Sequence, residues 1–281
     1  MKRSITLILV LTTMLLLGAC DGQATKKNES SVERVKKTAH QPTKAGAKDF
    51  TEQYWRLINT FEYEQVYKLL SPQDRKLVNK MTFITRTRQS NELDRTTQID
   101  SVTLEGKNAK VKVSHEIVDP SDQTTKTISE FKITFIDGEW HPKLEKLDLF
   151  FYGANPSKIG IGRAAMGETF SIPAFSATVK NAARDKIKKD QYGRSYTVVE
   201  LQIQNQEKQW LNFKTADYFA VTDDTQLTRW PLSDAEIEDS IELGPESSAK
   251  VQVAFGLSEY DGEYSLLVGN GDDYYLIPLG L

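Results

Sequence analysis

The hydrophobic period changes along the chain, and each change marks an element. Residues 5–17 (ITLILVLTTMLLL) are apolar without interruption, and residues 21–45 lack any aromatic. Phe50, Tyr54, Leu57, Ile58 and Phe61 then recur at helical spacing, and Tyr63, Val66, Tyr67, Leu69 and Leu70 continue it on a second short helix. Ser71-Pro72-Gln73-Asp74 restarts a third helix: serine suits the N-cap, proline tolerates the first turn, and Asp74 sits at the positive end of the dipole. From about residue 97 the period becomes two, through Val102 and Leu104, Val111 and Val113, and Phe131, Ile133 and Phe135, with Gly106-Lys107 and Asp137-Gly138 as hairpin turns. Gly153–Ser157 is a cluster of breakers. Beyond it Phe170 and Ile172, Phe175, Ala177 and Val179, then Val199, Leu201 and Ile203, Val251, Val253, Phe255 and Leu257, Leu266 and Val268, and Tyr275 and Ile277 alternate on seven or so short strands; only 232–240 reads as helical or irregular. Helices before strands predict an α+β unit over 46–150, and unbroken alternation predicts a β-sandwich over 158–281.

The first 20 residues carry the most specific chemistry. Lys2 and Arg3 precede the apolar run, which as a helix spans about 20 Å against a hydrocarbon core of about 30 Å, so residues 1–19 read as a cleaved export signal. Leu17-Gly18-Ala19-Cys20 resembles the lipobox of bacterial lipoproteins of the Gram-positive type: small residues admit the peptidase, and the thiol takes the diacylglyceryl group. The resemblance implies lipidation at Cys20 and an anchor in the outer face of the cell membrane, held by two acyl chains where one is marginal. Asp21 would signal inner-membrane retention in a two-membrane envelope and nothing in a one-membrane envelope. Residues 20–45 are the lipidated cysteine and a tether. Positions 21–45, with six Lys/Arg against three acids, bury too little to fold and reach roughly 25–30 Å from the bilayer.

Composition narrows the remaining classes. The 281-residue chain is long enough for about two domains. Its single cysteine excludes an intrachain disulfide, and His40, His115 and His141 lack metal-ligand spacing, so no metal and no cofactor is expected. A net charge of −3 provides no basic field for nucleic acid.

YWRLINTFEYEQVYKLLSPQDR and the closing strands FKITFIDGEWHPKLEKL resemble the NTF2-like cone fold, particularly the small version that precedes the transpeptidase domain of some penicillin-binding proteins. That family contains enzymes, ligand binders and spacers. GETF at 167–170, YTVVELQIQNQ and LGPESSAKVQVAFGL followed by EYSLLVG resemble the immunoglobulin-like DUF4352 domain of Gram-positive surface lipoproteins, an extracellular module without assigned chemistry. The expected fold is an α+β NTF2-like cone followed by an all-β immunoglobulin-like sandwich.

Two candidate sites emerge. With Gly106-Lys107 as a two-residue turn, Asp100 faces Val113 and Gln98 faces His115, which places Asp100 and His115 as diagonal neighbours on the apolar sheet face, a general base and its partner in a cone pocket. Trp230, Tyr260, Tyr264 and Tyr274 fall near turns or strand ends, where a sandwich presents loops to a glycan or a protein. Gly160–Ala165 matches a dinucleotide loop without the helix it needs, and Ser247–Lys250 matches S-x-x-K without its partner motifs. Asp223-Asp224 and Asp272-Asp273 read as solvated turns. The reading is a lipid-anchored, non-enzymatic binding module of the envelope with an envelope protein or glycan as partner; the alternative is a small-ligand carrier or lyase/isomerase-type enzyme using the cone.

Overall fold

The computed structural model describes residues 41–91, 95–118, 124–190, 193–226, 228–229, 231–232, 240–258 and 262–281. Leu17, Gly18, Ala19, Cys20, Trp230, Tyr260 and most of the 232–240 stretch lie outside them. Among the described residues no helix is long and apolar enough to cross a membrane.

The first lobe opens with α1 (Lys44–Asn59), whose N-cap Thr43 accepts from the Gly46 amide at 3.0 Å. α2 (Tyr63–Leu69), α3 (Asp74–Leu77) and α4 (Lys80–Gln89) come next. The third helix starts later than the sequence predicts, with Gln73 rather than Ser71 at its N-cap, while the Ser71 hydroxyl accepts from the Asp74 amide and donates to the Asp74 carboxylate. Four antiparallel strands, β1 (Arg95–Glu105), β2 (Asn108–Val118), β3 (Thr124–Ile136) and β4 (Glu139–Pro142), pair in sequence order. Asp137 and Gly138 both hold positive φ, as a type I′ turn demands. The helices lie on one face of this sheet, where Phe50, Val111, Val113, Ile133 and Trp140 form a core. Trp55 packs on Phe131 and His115.

α5 (Lys146–Phe151) and a 3₁₀ turn at Pro156–Ile159 lead to the second lobe. Its strands are β5 (Gly162–Arg163), β6 (Thr169–Ser171), β7 (Phe175–Lys189), β8 (Ser195–Asn205), β9 (Leu211–Lys214), β10 (Phe219–Thr222), β11 (Thr228–Arg229), β12 (Ser240–Leu243), β13 (Ser248–Leu257), β14 (Ser265–Asn270) and β15 (Asp273–Pro278), with a one-turn helix, α6 (Thr215–Tyr218), before β10. They build a sheet β13-β8-β7-β6, a sheet β11-β10-β14-β15-β5 and a two-stranded ribbon β12-β9. Alternate residues of the two larger sheets, among them Val199, Leu201 and Phe255 on one and Phe219, Val221, Leu266, Val268 and Ile277 on the other, pack into one sandwich core.

The intervening residues Ala220, Leu267 and Leu276 are buried as well, on the opposite face. There they meet Phe150 of α5 together with Ala154, Ile159 and Ile161, so the breaker segment runs through a core that both lobes share. Polar contacts reinforce it. Arg86 of α4, 6% exposed, donates to the carbonyls of Thr225 and Gln226 and stacks on Phe151 at 4.8 Å. Gln226, held at φ +66, donates its side-chain amide to the Ala154 carbonyl. Lys146 donates to the carbonyls of Gly160 and Asp272.

Candidate functional site

The structure separates Asp100 from His115. Register runs as expected from the turn to Val102 opposite Val111, then slips at a bulge between Ile99 and Ser101, so Thr97 rather than Gln98 faces His115. The extra residue is Asp100 itself. It lies exposed and accepts from Ser114, a neighbour on the face away from Val113, at 2.6 Å. His115 stays on the inner face, 5% exposed, with Nδ1 3.3 Å from the Thr97 hydroxyl, Nε2 3.1 Å from the Ser129 hydroxyl and its ring 4.5 Å from Trp55. A base and partner on opposite faces of one sheet share no substrate.

Aromatic packing fills the centre of the helix-covered face of the sheet, and two openings border it. A cleft of about 530 Å³ between α1 and β1 is lined by Thr51, Trp55, Arg56 and Thr97. A smaller opening of about 280 Å³ is bordered by Tyr54, Phe131, Asp148 and Tyr152. Burial, with Tyr152 and Asp148 adding to it, holds the Tyr54 phenol protonated well above its ordinary range. Among the described residues no group of three or more His, Cys, Asp or Glu side chains is placed to hold a metal ion.

The aromatic candidates of the sandwich divide differently from expectation. Tyr264 is 4% exposed, its hydroxyl 3.0 Å from that of Ser258, so it belongs to the core and presents nothing to solvent. Tyr274 is half-buried and packs on the core shared by the lobes. Both stand at strand ends, as the alternation predicts, but on β15 and before β14 those ends fold inward.

The aromatic that does stand clear is Trp210, 73% exposed, the most exposed large hydrophobic side chain among the described residues. β8 ends at Asn205, which is fully buried. Its amide nitrogen donates to the carbonyls of Gln209 at 2.8 Å and Gly244 at 3.0 Å, with Leu243 at 3.3 Å, and its side-chain oxygen accepts from the Glu207 amide at 2.8 Å. One side chain thus closes the 206–210 loop and ties it to the 244–247 turn, from which the Glu246 amide also reaches the Glu207 carbonyl. Leu211 pairs with Leu243, which sets Trp210 across from Gly244. An ideal Cβ at Gly244 would lie 3.7 Å from the indole, so the six-membered edge of the ring sits over this turn. Around it Gln206, Glu207, Lys208 and Gln209 are all exposed, and the Asn212 amide donates to Glu242 at 3.0 Å. The arrangement is an exposed apolar ring on an ordered loop, with polar side chains beside it. Its only mark in the sequence is a lone tryptophan after the polar run Gln204–Gln209, between two alternating strands.

No protein-family model matches the chain, and no curated protein matches it. Among solved structures it is similar to the yjhA protein from Bacillus subtilis, at 16% identity over 41% of this chain and 98% of that one, with a TM-score of 0.33. It is also similar to MPT63, a secreted protein from Mycobacterium tuberculosis, at 8% identity over 42% of this chain and 97% of that one, with a TM-score of 0.34. A third likeness is to a Campylobacter jejuni protein described as a putative NTF2-like transpeptidase, at 17% identity over 35% of this chain and 98% of that one, with a TM-score of 0.28.

Proposed function

We propose that the chain is an envelope lipoprotein, anchored through diacylglyceryl on Cys20 and exposed outside the cell membrane, that works by binding rather than by catalysis. In this reading an NTF2-like first lobe and an immunoglobulin-like second lobe of DUF4352 type form one body joined to the anchor by residues 21–45, and the Trp210 platform is its contact surface. The observation that carries the binding function is a 73% exposed indole on a loop fixed by a buried asparagine, since an unneeded tryptophan there costs solubility and an ordered one binds at little conformational cost. The anchor is supported by the Leu17–Cys20 motif and by the chain's only cysteine standing in it.

The test has two parts. Mass spectrometry of the protein extracted from membranes should find an acylated amino terminus at Cys20, and Cys20→Ala should move the protein to the soluble fraction. A photo-crosslinker at Lys208 in intact cells should capture an envelope component, and Trp210→Ala should abolish the capture. An unprocessed Met1 in the mature protein refutes the anchor, and capture indifferent to Trp210→Ala refutes the binding surface.

A further inference from the structure

We infer that the Trp210 platform takes a neutral glycan, one pyranose ring stacked on the indole, an inference that rests on the binding reading above. A pyranose has a face of C–H groups and a rim of hydroxyls. Its face needs one flat apolar plate, and its rim needs donors and acceptors side by side. Trp210 supplies the first. Glu207, Gln209, Asn212 and Glu242 supply carboxylate and amide groups of both kinds around it.

A protein partner fits this surface less well. Protein hot spots sit near the centre of a broad, well-packed patch that excludes water, whereas Trp210 is a single exposed aromatic flanked by a continuous run of exposed polar residues from Gln206 to Gln209. Charge decides between neutral and anionic polymers. Glu207, Glu242 and Glu246 outnumber Lys208 and Lys214 in the loop and its paired strands, and the whole chain is net negative, so nothing here draws a polyanion. Access and order agree with the same ligand. Trp210 stands 73% exposed, and Asn205 holds the backbone of its loop by hydrogen bonds, so the loop that carries the ring is ordered before the ligand arrives.

The mature full chain with Cys20→Ala, titrated with cellohexaose and with chitohexaose, tests this by NMR. The indole N–H resonance that disappears in Trp210→Ala should shift on addition of at least one oligosaccharide, and saturation transfer should mark ring protons of the sugar. Trp210→Ala should weaken binding by at least ~20-fold, the scale of a dominant contact residue, while Trp210→Phe should retain most of it. The thermal midpoint of Trp210→Ala should match the parent, because the ring packs so little. Binding that survives Trp210→Ala overturns the inference, as does the lack of any shift with both sugars. If the sugars fail while the Lys208 crosslinker still captures a Trp210-dependent protein partner, the glycan falls and the binding function stands; if both fail, both fall.

Discussion

Replacing Phe150 by alanine should loosen both lobes together. Phe150 is 1% exposed and sits at the centre of the shared core, against Ala220, Leu267 and Leu276 from the sandwich and Ala154, Ile159 and Ile161 from the connection. Its helix, α5, is only six residues long and has no stability of its own, so packing holds it in place. Phe-to-Ala changes at such positions cost about 3–5 kcal/mol through lost burial and the cavity left behind. A domain typically has about 5–15 kcal/mol in all, so roughly a fifth or more of the total disappears, and the thermal midpoint should fall by roughly 10 °C. Hydrogen exchange read by mass spectrometry distinguishes a shared loss from a local one. Peptides covering Val111–Val113 in β2 and Leu266–Val268 in β14, in different lobes, should lose protection by the same amount, and urea unfolding of the parent should show one transition. Ile128→Ala, at a 60% exposed position, serves as the control and should change neither. Two transitions in the parent, or deprotection confined to one lobe, would refute the argument that Ala39–Leu281 behaves as one compact unit.

Arg86→Lys keeps a charge but loses the planar fork that serves the Thr225 and Gln226 carbonyls, and should cost about 1.5–3 kcal/mol in urea titrations; no rescue is expected from the lysine. Gly269→Ala should destabilise by roughly 2–4 kcal/mol, since φ is +154 and a Cβ would collide with the Asp273 carbonyl oxygen, with the Tyr274 backbone beside it unable to yield. Burial raises the Asp74 carboxyl above its ordinary range, with the Ser71 hydroxyl and His141 pulling it back. The folded chain therefore holds a proton that the unfolded chain has released, and Asp74's contribution to stability falls as pH rises between the unfolded and folded pKa values. Asp74→Asn should remove that slope from the difference between urea midpoints measured across the mildly acidic range, and a variant with the parent's slope would refute the assignment. Asn205→Ala should cost about 1–3 kcal/mol, because several backbone groups lose the side chain that satisfies them, and should speed hydrogen exchange at 206–210.

How far the sequence reached depended on whether a feature was written in the period or in a single side chain. The turn at Asp137-Gly138 and the pairing of Val102 with Val111 were legible because each rests on local stereochemistry. Asp100 was misplaced because a bulge adds one residue without any mark in the alternation, and one residue turns a side chain to the other face. The shared core does leave a trace: Phe219-Ala220-Val221 and Leu266-Leu267-Val268 are apolar on consecutive residues, the pattern of strands covered on both sides, whereas alternation assigns only every second position to a buried face. The same logic applies in reverse at the platform. An Asn after the last apolar position of β8 reads as an ordinary turn former, and only the fold reveals that its amide gathers carbonyls from two segments far apart in sequence. A polar residue fully buried at a strand end fixes the loop that leaves it, and this loop carries a tryptophan that is 73% exposed. The asparagine is accounted for by the backbone groups it satisfies, so the exposed indole alone carries the binding proposal, and Trp210→Ala is the variant that tests it.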